Sequence, residues 1–329
     1  MKVIVIDCGT TNCRMRMLDG DKLLASVTKH TGASDAVQSG SNAGLMRALK
    51  ESYEELVAAE PEAIREVQDI VASGMITSRA GLIEIEHLSG PVRLEDLSRS
   101  IRRFAFPELF PHPVLFIPGV KFKGEEGVDR DMIRGEETEL CGYLEQVAAE
   151  ENGVKGRLFM HYGSHHKWIK TWEHSIVSSS TSISGELMMA VMKHTILKDN
   201  TIPLDEVAPD LDWVRKGLEA ARQFGAGRAF FQVRTLNVLN KQDKQLSTSF
   251  LIGVIVYQDL AMLTEELLRG VEEIVIYGRS LFPSIIVPIL SEYYPNIAVR
   301  VVPEEESGIL NVHGAANLYR KYKEEMNGC

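Results

Sequence analysis

The chain alternates short apolar runs with polar turns and longer amphipathic segments, a pattern that predicts an α/β fold. Residues 2–28 contain three apolar runs separated by turn residues, which predicts three short antiparallel strands. Within residues 43–59 the apolar positions recur at helical spacing, and Pro61 follows the end of this predicted helix. Further apolar runs predict strands at 70–72 and 114–117.

The second half of the chain repeats this order of elements. An apolar run at 158–160 enters a turn with a glycine and a hydroxyl side chain, as the first strand of the chain does. The remaining predicted elements are strands at 168–172 and 175–178, helices at 184–196, 207–223 and 244–268, strands at 274–277 and 299–302, and a helix at 307–323. This long-range repeat favours two duplicated α/β domains, which we place at residues 1–155 and 156–329.

The composition is that of a soluble globular protein with enough residues for two domains. Of its 329 residues, 44% are hydrophobic and 25% are charged. A net charge of −10 argues against general nucleic-acid binding, which uses a basic face, although local arginines can still bind an anionic small molecule. We expect no membrane association, because no segment approaches the ~20 apolar residues that span a bilayer. The oligomeric state is left open, and a homodimer is one option.

The cysteine pattern predicts reduced thiols. The four cysteines are Cys8, Cys13, Cys141 and Cys329, and they form no Cys-x-x-Cys pair. The start of the chain lacks the apolar segment and cleavage site of a secretory signal. We therefore expect a cytoplasmic protein in which Cys8 packs as a small buried side chain beside the first turn.

The first turn has the residue types of a phosphate and magnesium site. An apolar strand leads into Asp7–Asn12, which reads Asp-Cys-Gly-Thr-Thr-Asn. Gly9 allows the backbone to approach a phosphate closely, and Thr10 and Thr11 offer hydroxyl and backbone N–H groups. Asp7 can hold Mg²⁺ through water, because this ion retains much of its hydration shell. The same residue types are common in ordinary β-hairpin turns, so the prediction depends on the other parts of a nucleotide site.

Three short motifs together resemble the split nucleotide site of the sugar kinase/actin/Hsp70 superfamily. The motifs are Asp7-Cys8-Gly9-Thr10-Thr11-Asn12, Gly163-Ser164 and a late glycine turn, Gly278-Arg279-Ser280. The resemblance implies two ribonuclease-H-like (actin-like ATPase) domains that flank a nucleotide cleft, with ATP and Mg²⁺ as cofactors. It implies that each domain supplies one phosphate-binding hairpin and that Gly278 and Ser280 contact the adenosine. A generic strand–helix connection is the alternative for this late turn.

A closer resemblance is to the 2-dehydro-3-deoxygalactonokinase family. The matching segments are Arg134-Gly135-Glu136-Glu137-Thr138-Glu139-Leu140, Gly163-Ser164-His165-His166-Lys167-Trp168, Ser184-Gly185-Glu186-Leu187, Ser73-Gly74-Met75, and Val233-Arg234 with Phe250-Leu251-Ile252-Gly253. They occur in the family's order and span nearly the whole chain. The resemblance implies transfer of the γ-phosphoryl group of ATP to the 6-hydroxyl of 2-dehydro-3-deoxy-galactonate. The chain departs from the family pattern at Tyr162, at Ser164 and within 76–79 and 178–182.

Phosphoryl transfer also requires a group that accepts the proton of the attacking hydroxyl. Glu136 is our first candidate, because sugar kinases of this superfamily place a carboxylate base at the start of such a helix. Glu137 is the close alternative and Asp131 the weaker one. Adjacent helical residues point about 100° apart, so only one glutamate of the pair is expected to face the substrate. The other then serves as a favourable charge in the first turn of the helix.

Recognition of a sugar acid requires a group that binds its carboxylate. Arginine binds carboxylates through two parallel hydrogen bonds, which makes Arg14, Arg134 and Arg234 the candidates. Arg134 is the strongest of them because it adjoins the proposed base, although surface salt bridges are an alternative for each. The resemblance adds Gly74 and Met75 to the substrate site. His165 and Lys167 follow the second turn and are candidates for binding phosphate or substrate.

Two other functions fit the same fold. One is a kinase for another sugar or sugar acid, such as the gluconate epimer, because the departures from the family pattern bear on the substrate. The other is a catalytically idle sensor of sugar acids. Asp7, the two turns with glycine and hydroxyl groups and the glutamate pair favour an enzyme over a sensor.

The remaining histidines and small residues have structural interpretations. A zinc site at His161, His165 and His166 is not expected, because consecutive residues of a hairpin point to opposite faces. Ser307-Gly308 and Gly314 in the last predicted helix resemble the small-residue helix contact near the hinge of these folds, and the resemblance implies that two helices cross closely there.

Overall fold

The computed structural model describes residues 1–124, 130–148, 153–278 and 281–327. The elements of its first half are β1 (Lys2–Cys8), β2 (Cys13–Asp19), β3 (Lys22–Lys29), α1 (Ala33–Ser39), α2 (Ala43–Ala59), β4 (Ile70–Gly74), β5 (Leu88–Ser89), β6 (Val92–Arg93), α3 (Leu94–Arg99), β7 (Arg102–Phe104), β8 (Val114–Phe116), β9 (Val120–Phe122), β10 (Asp131–Ile133) and α4 (Glu136–Ala148). The three opening strands and α2 confirm the predictions made from the apolar pattern. They are local elements, set by alternation and by helical spacing over short stretches.

The first sheet has the order β3-β2-β1-β4-β8-β7. The strands β1, β2 and β3 are antiparallel neighbours, whereas β4 and β8 continue the sheet in parallel to β1. The register pairs Asp7 with Ser73 and Cys8 with Gly74, which places the carboxyl ends of β1 and β4 side by side. Ligands of open α/β sheets bind at such carboxyl ends, so the topology puts the first turn at a functional edge.

The second half contains the remaining helices and strands. They are β11 (Gly156–Tyr162), β12 (His166–Trp172), β13 (Ser175–Ser182), α5 (Ser184–His194), α6 (Leu211–Phe224), α7 (Ala226–Val238), α8 (Lys244–Ala261), α9 (Glu265–Leu268), β14 (Glu273–Gly278), α10 (Leu281–Tyr293), β15 (Ala298–Val301) and α11 (Glu304–Asn327). Short 3₁₀ helices lie at 63–66, 75–77 and 198–200.

The second sheet repeats the strand order of the first. Its order is β15-β14-β11-β12-β13, with β6 paired to the outer end of β13, and β14 is parallel to both β11 and β15. Counted along the chain within each half, both sheets contain the order third, second, first, fourth, and the strand after the fourth, β8 or β15, is parallel to it. The predicted α/β fold and the repeat expected from the sequence are therefore both present in the topology.

The chain divides into two compact units. The first comprises Met1–Gly153, Trp172–Ser178 and Gly308–Cys329, and the second comprises Val154–Thr171 and Ser179–Ser307. Each unit has a continuous apolar core between its sheet and helices. This division differs from the boundaries of 1–155 and 156–329 in assigning residues 172–178 and the last helix from Gly308 onward to the first unit. The physical reason is a set of contacts of α11 with that unit, such as the hydrogen bond from Tyr319 Oη to Asp69 Oδ2 (2.8 Å).

Two helical predictions in the second unit require correction. The sequence pattern did not predict α7, which follows α6 directly because Gly225, at φ +78°, ends one helix and begins the next. The single helix predicted at 244–268 is two helices, α8 and α9. The second begins at Thr264, whose side chain accepts a hydrogen bond from the backbone N–H of Leu267 (3.2 Å).

The prediction of reduced thiols is wrong for one cysteine pair. Cys8 and Cys13 form a disulfide across the first hairpin, because the register of β1 and β2 places them directly opposite each other. Cys141 is a free, buried cysteine, and Cys329 lies outside the described residues. In the part of the chain that the structure covers, no helix is long and apolar enough to cross a membrane.

Candidate functional site

The first turn is held in one shape from two sides. The backbone N–H of Gly9 donates to the carbonyl of Asn12 (2.8 Å), and the disulfide closes the hairpin beneath this bond. On the other side, Ser34 donates from its N–H (2.9 Å) and its hydroxyl (2.7 Å) to the carbonyl of Thr10. Gly32 lies so close that a Cβ there would overlap the Thr10 carbonyl. The turn therefore presents its backbone and the Thr11 side chain on a preformed loop.

Asp7 lies in a confined, partly charged environment at the end of β1. Its Oδ2 pairs with Nη1 of Arg14 at 3.4 Å, and its side chain is 18% exposed. Burial raises the pKa of the Asp7 carboxyl, while the positive charges of Arg14 and Arg16 act in the opposite direction. Arg14, a predicted substrate residue, is thus an ion-pair partner of the predicted metal residue.

Gly74 brings the start of α4 next to Asp7. A Cβ on Gly74, whose φ is +81°, would overlap the Cys8 carbonyl and lie 3.6 Å from Asp7 Oδ1. A Cβ on Gly135, whose φ is +112°, would in turn lie 3.3 Å from the Gly74 Cα. Only glycine adopts these backbone conformations without strain. The two glycines therefore allow the turn before α4 to approach the carboxyl ends of β1 and β4.

The two glutamates of α4 have different surroundings, as their helical spacing predicts. Glu136 is 7% exposed, its Oε2 accepts from the backbone N–H of Arg134 (2.9 Å), and its negative charge raises the pKa of Asp7. Glu137 is fully buried, and both of its carboxylate oxygens accept from the Gly135 N–H (2.9 and 2.8 Å). Each glutamate therefore binds a backbone N–H of the turn before α4, Glu136 through Oε2 and Glu137 through both oxygens.

Replacing Glu137 with glutamine should remove a pH dependence of folding stability. Burial, with the nearby charge of Glu136, raises the pKa of the Glu137 carboxyl from 4.5 to about 7. The native protein therefore holds this proton where the unfolded chain has lost it, so stability falls as pH rises from about 4.5 to 7. Between pH 5 and 8, we expect wild type to lose about 2–3 kcal/mol more unfolding free energy than E137Q. Urea titrations at both pH values measure this difference, and parallel losses would show that Glu137 is ionised in the native state throughout.

Asp131 and Arg134 both have hydrogen-bond partners within the protein. Asp131 lies on β10, where its Oδ1 accepts from the backbone N–H of Met132 (2.8 Å). Arg134 Nη1 donates to the carbonyl and hydroxyl oxygens of Thr77, and Nη2 donates to the Ile85 carbonyl (3.2 Å). Both terminal nitrogens of Arg134 therefore bind the protein itself. The Arg134 guanidinium therefore connects the turn before α4 to the segment 77–85 that follows β4.

His87 is a further partner of Arg134 that the sequence did not reveal. Its ring nitrogens lie 3.0 Å from Arg134 Nη2. Burial and the positive charges of Arg134 and Lys121 lower the pKa of His87 to about 4, so the ring is neutral and can accept a hydrogen bond. His87 and Thr77 belong to the segment that follows Met75, and no spacing in the sequence connects them to Arg134. Together they fix the loop after β4 to the turn before α4.

The second turn, Gly163–His165, is held by the start of α5. The backbone N–H of Glu186 donates to the Ser164 carbonyl (2.9 Å), and the Glu186 carboxylate lies 3.3 Å from His165 Nε2. A Cβ on Gly185 would lie 2.5 Å from the Ser164 carbonyl oxygen, so only glycine permits this approach. The hairpin, like the first, therefore has its turn clamped by a neighbouring helix.

His165 and His166 differ in exposure, as expected for consecutive residues of a hairpin, whereas Lys167 is buried like His166. His165 is 34% exposed, whereas His166 is fully buried and Lys167 is 8% exposed. Among the described residues, no group of three or more histidine, cysteine, aspartate or glutamate side chains is placed to hold a metal.

The late glycine turn lies against the second hairpin. Gly278 ends β14 at φ +108°, and a Cβ there would lie 2.5 Å from the Tyr162 carbonyl oxygen. Its N–H donates to Ser307 Oγ (3.2 Å). Ser280, predicted to contact adenosine, lies outside the described residues. Arg234 lies on α7, where its Nη1 donates to the Ile196 carbonyl (3.5 Å).

Each unit therefore contains part of the predicted site, although no hydrogen bond or ion pair joins Arg234 to the second turn among the described residues. In the first unit these residues are Asp7, Gly9, Thr10, Thr11, Asn12, Arg14, Gly74, Met75, Arg134, Glu136 and Glu137. In the second unit they are Gly163, Ser164, His165, Lys167, Arg234 and Gly278.

Three known proteins that resemble this chain in sequence or in fold carry the same enzyme name. A 2-dehydro-3-deoxygalactonokinase of Escherichia coli K12 is 23% identical over 265 residues, which are 80% of this chain and 81% of that protein. A probable 2-dehydro-3-deoxygalactonokinase of Rhizobium meliloti is 26% identical over 204 residues, 62% of this chain and 60% of that protein. A crystal structure provisionally assigned as a 2-dehydro-3-deoxygalactonokinase from Sinorhizobium meliloti has the same fold. It superposes with a TM-score of 0.73 at 22% identity and covers 97% of this chain and 98% of that one.

The family profile extends over most of the chain. The profile described as 2-keto-3-deoxy-galactonokinase matches residues 7–293, from the first turn to the end of α10. This range includes both hairpin turns, the glutamate pair of α4 and the late glycine turn. The chain belongs to the 2-keto-3-deoxy-galactonokinase family.

Proposed function

We propose that the protein is an ATP-dependent kinase that phosphorylates the 6-hydroxyl of 2-dehydro-3-deoxy-galactonate. Family membership supports this reaction, as do the names of its relatives. The observation that carries the proposal is the placement of the Glu136 carboxylate near Asp7, where the turn before α4 meets the carboxyl ends of β1 and β4. A fixed carboxylate beside a phosphate-type turn is what transfer to a hydroxyl requires.

In the proposed reaction, Glu136 accepts the proton of the attacking hydroxyl. The hydroxyl oxygen forms a bond to the γ-phosphorus, and the bond between that phosphorus and the β–γ bridging oxygen breaks. ADP leaves with the electron pair of the broken bond. The hydrogen bond from the Arg134 N–H holds Glu136 in place before reaction (2.9 Å). The contribution of the protein is mainly orientation and charge placement, because this transfer has little covalent chemistry of its own.

The Asp7 site fits a magnesium ion bound mainly by water and nucleotide phosphates. It offers a hard oxygen donor in a confined position, and burial that raises the pKa of Asp7 would be offset by a nearby cation. When bound, the ion supplies charge neutralisation on the phosphates. Each of the two turns, Gly9–Asn12 and Gly163–His165, would bind phosphate oxygens through its own backbone N–H groups and hydroxyls. Gly278 would contact the adenosine.

The finer biological setting is part of the same proposal. A small, anionic sugar acid as the substrate supports an enzyme of galactonate degradation, and we propose the cytoplasm as its location although the disulfide removes the argument from reduced thiols. The net charge of −10 favours neither nucleic acid nor an anionic membrane as a partner. A homodimer remains a proposal that size measurement in solution would test.

A coupled ADP-release assay tests the proposed reaction directly. Mg·ATP would be offered with a panel of sugar acids that includes 2-dehydro-3-deoxy-galactonate and its gluconate epimer. We expect turnover with the galactonate form and much slower turnover with the epimer. Faster turnover of another acid would show that the protein is a kinase with a different substrate. Binding of ATP without turnover of any acid would overturn the proposal in favour of a sensor.

A further inference from the structure

A buried polar cluster lies behind the second turn, on the side away from its exposed residues. The cluster, here called the Asp259 cluster, consists of Asp259 on α8, His166 on β12, Ser182 at the end of β13 and Ser184 at the start of α5. Asp259 and His166 are both fully buried. A buried carboxylate requires several hydrogen-bond donors to offset its loss of hydration. Because such burial costs free energy, the cluster is a candidate for a functional role.

Asp259 connects α8 to two other segments of the second unit, β12 and β13. Its Oδ2 lies 2.8 Å from His166 Nδ1, and its Oδ1 accepts from Ser182 Oγ at 3.3 Å. The backbone carbonyl of the same residue accepts from Trp168 Nε1 at 2.8 Å. One residue of α8 therefore binds β12 twice and β13 once.

The cluster is connected to the turn by two routes, one through His166 and the other through the start of α5. His166 is the residue immediately after Gly163–His165, and its ring packs edge-on against the ring of Tyr162, the residue immediately before (4.8 Å between centroids). On the other side, Ser182 Oγ lies 2.7 Å from Ser184 Oγ, and Ser184 begins α5. The next two residues of α5 contact the carbonyl groups of the turn, as described above.

We propose that Asp259 is a positioning residue for phosphate binding, which holds the Gly163–His165 turn through His166 on one side and through Ser182 and the start of α5 on the other. This inference rests on the proposed function, because it takes that turn as a phosphate site. Asp259 itself contacts neither substrate nor nucleotide in this scheme. Its effect is to fix the direction of the backbone N–H groups and of the Ser164 hydroxyl.

The test compares D259N with E273Q, a matched variant at the start of β14. Glu273 is also a buried carboxylate of the second unit, and it pairs with Arg157 at the first residues of β14 and β11 (2.8 Å). Both changes convert a buried carboxylate to an amide of the same shape. They differ in that Glu273 lies at the start of β14, five positions before Gly278, and away from the turn.

The readout is the ratio of two dissociation constants, for ATP and for adenosine, measured by calorimetry or ligand competition. Adenosine lacks phosphates, so general damage to the unit weakens both ligands, whereas displacement of the turn weakens only ATP. We expect D259N to weaken ATP and ADP by tenfold or more and adenosine by less than twofold. E273Q should leave the ratio unchanged even where it lowers the melting temperature. An unchanged ratio in folded D259N would overturn the inference.

A second variant covers the case in which D259N fails to fold. S182A removes only the hydroxyl that connects Asp259 to Ser184, and we expect it to change the same ratio in the same direction by several fold. A wild-type protein that binds ATP but phosphorylates no sugar acid would overturn the proposed function alone. A wild-type protein that binds no nucleotide would overturn both proposals.

Discussion

Replacing Glu136 with glutamine is expected to lower kcat by about 10²- to 10⁴-fold, the range of a general base in proton transfer. Glutamine retains the shape of the side chain and can still accept from the Arg134 N–H, so the turn before α4 should keep its conformation. It cannot accept a proton from the substrate hydroxyl. The dissociation constant for ATP should stay within about twofold, because Glu136 is assigned to the hydroxyl rather than to the phosphates. Steady-state kinetics and calorimetry on the purified variant measure both quantities.

The comparison variants are E137Q and D131N, made in the two alternative carboxylates. Glu137 binds the Gly135 N–H with both oxygens and Asp131 caps the neighbouring Met132 N–H, so each has a structural partner in place. We expect each of these variants to lose far less turnover than E136Q. Normal turnover in E136Q would remove Glu136 as the base, and a larger loss in D131N or E137Q would assign that role to the residue concerned.

Replacing Gly314 with alanine is expected to destabilise the first unit by about 3 kcal/mol, near the upper end of the usual range for overpacking. Gly314 lies where α11 crosses α4, and a Cβ there would overlap the Thr138 carbonyl and lie 2.9 Å from the Gly142 N–H nitrogen. Those are backbone atoms of α4, so they cannot rotate away as a side chain would. Either the two helices separate or the last turns of α11 shift. Urea unfolding followed by tryptophan fluorescence and circular dichroism measures the loss.

Gly308 provides the matched control within the same helix. A Cβ on Gly308 would have no atom within 4 Å, and the residue is exposed. G308A should therefore stabilise the protein by up to about 1 kcal/mol through helix propensity alone. Equal effects of G308A and G314A on stability would contradict the packing explanation.

The sequence predicted the parts of the fold that depend on short stretches of chain. The turn at Asp7–Asn12, the helix at 43–59 and the repeated order of elements in the two halves follow from residue types within a few positions of one another. The family resemblance also implied a close helix contact at Ser307-Gly308 and Gly314; the contact is present at Gly314, whereas Gly308 is exposed and a Cβ there would meet no atom within 4 Å. The disulfide was not predictable, since it depends on the register that sets Cys8 opposite Cys13.

The sequence pattern does not predict how the roles are divided between the two glutamates. Helical spacing indicates that they point in different directions, but the direction of each is set by Gly135 at φ +112° and by its packing on Gly74. The partners of Arg134 come from residues 77–87, more than 40 positions earlier in the chain. Asp259 is farther still from His166 in sequence, and a lone aspartate in an apolar helix gives no indication of its partner.

The packing of α11 also affects the order in which the chain folds during synthesis. Residues 308–327 are synthesised after all of the second unit, yet they belong to the first. Until they emerge, the face of α4 around Gly142 lacks the helix that covers it, so residues 1–153 cannot complete their core as they leave the ribosome. The second unit, Val154–Ser307 apart from residues 172–178, contains only the first residues of α11, Glu304–Ser307, so it depends on that helix far less. We therefore expect the middle of the chain to fold first and the amino-terminal unit to wait, exposed to chaperones, for the final helix.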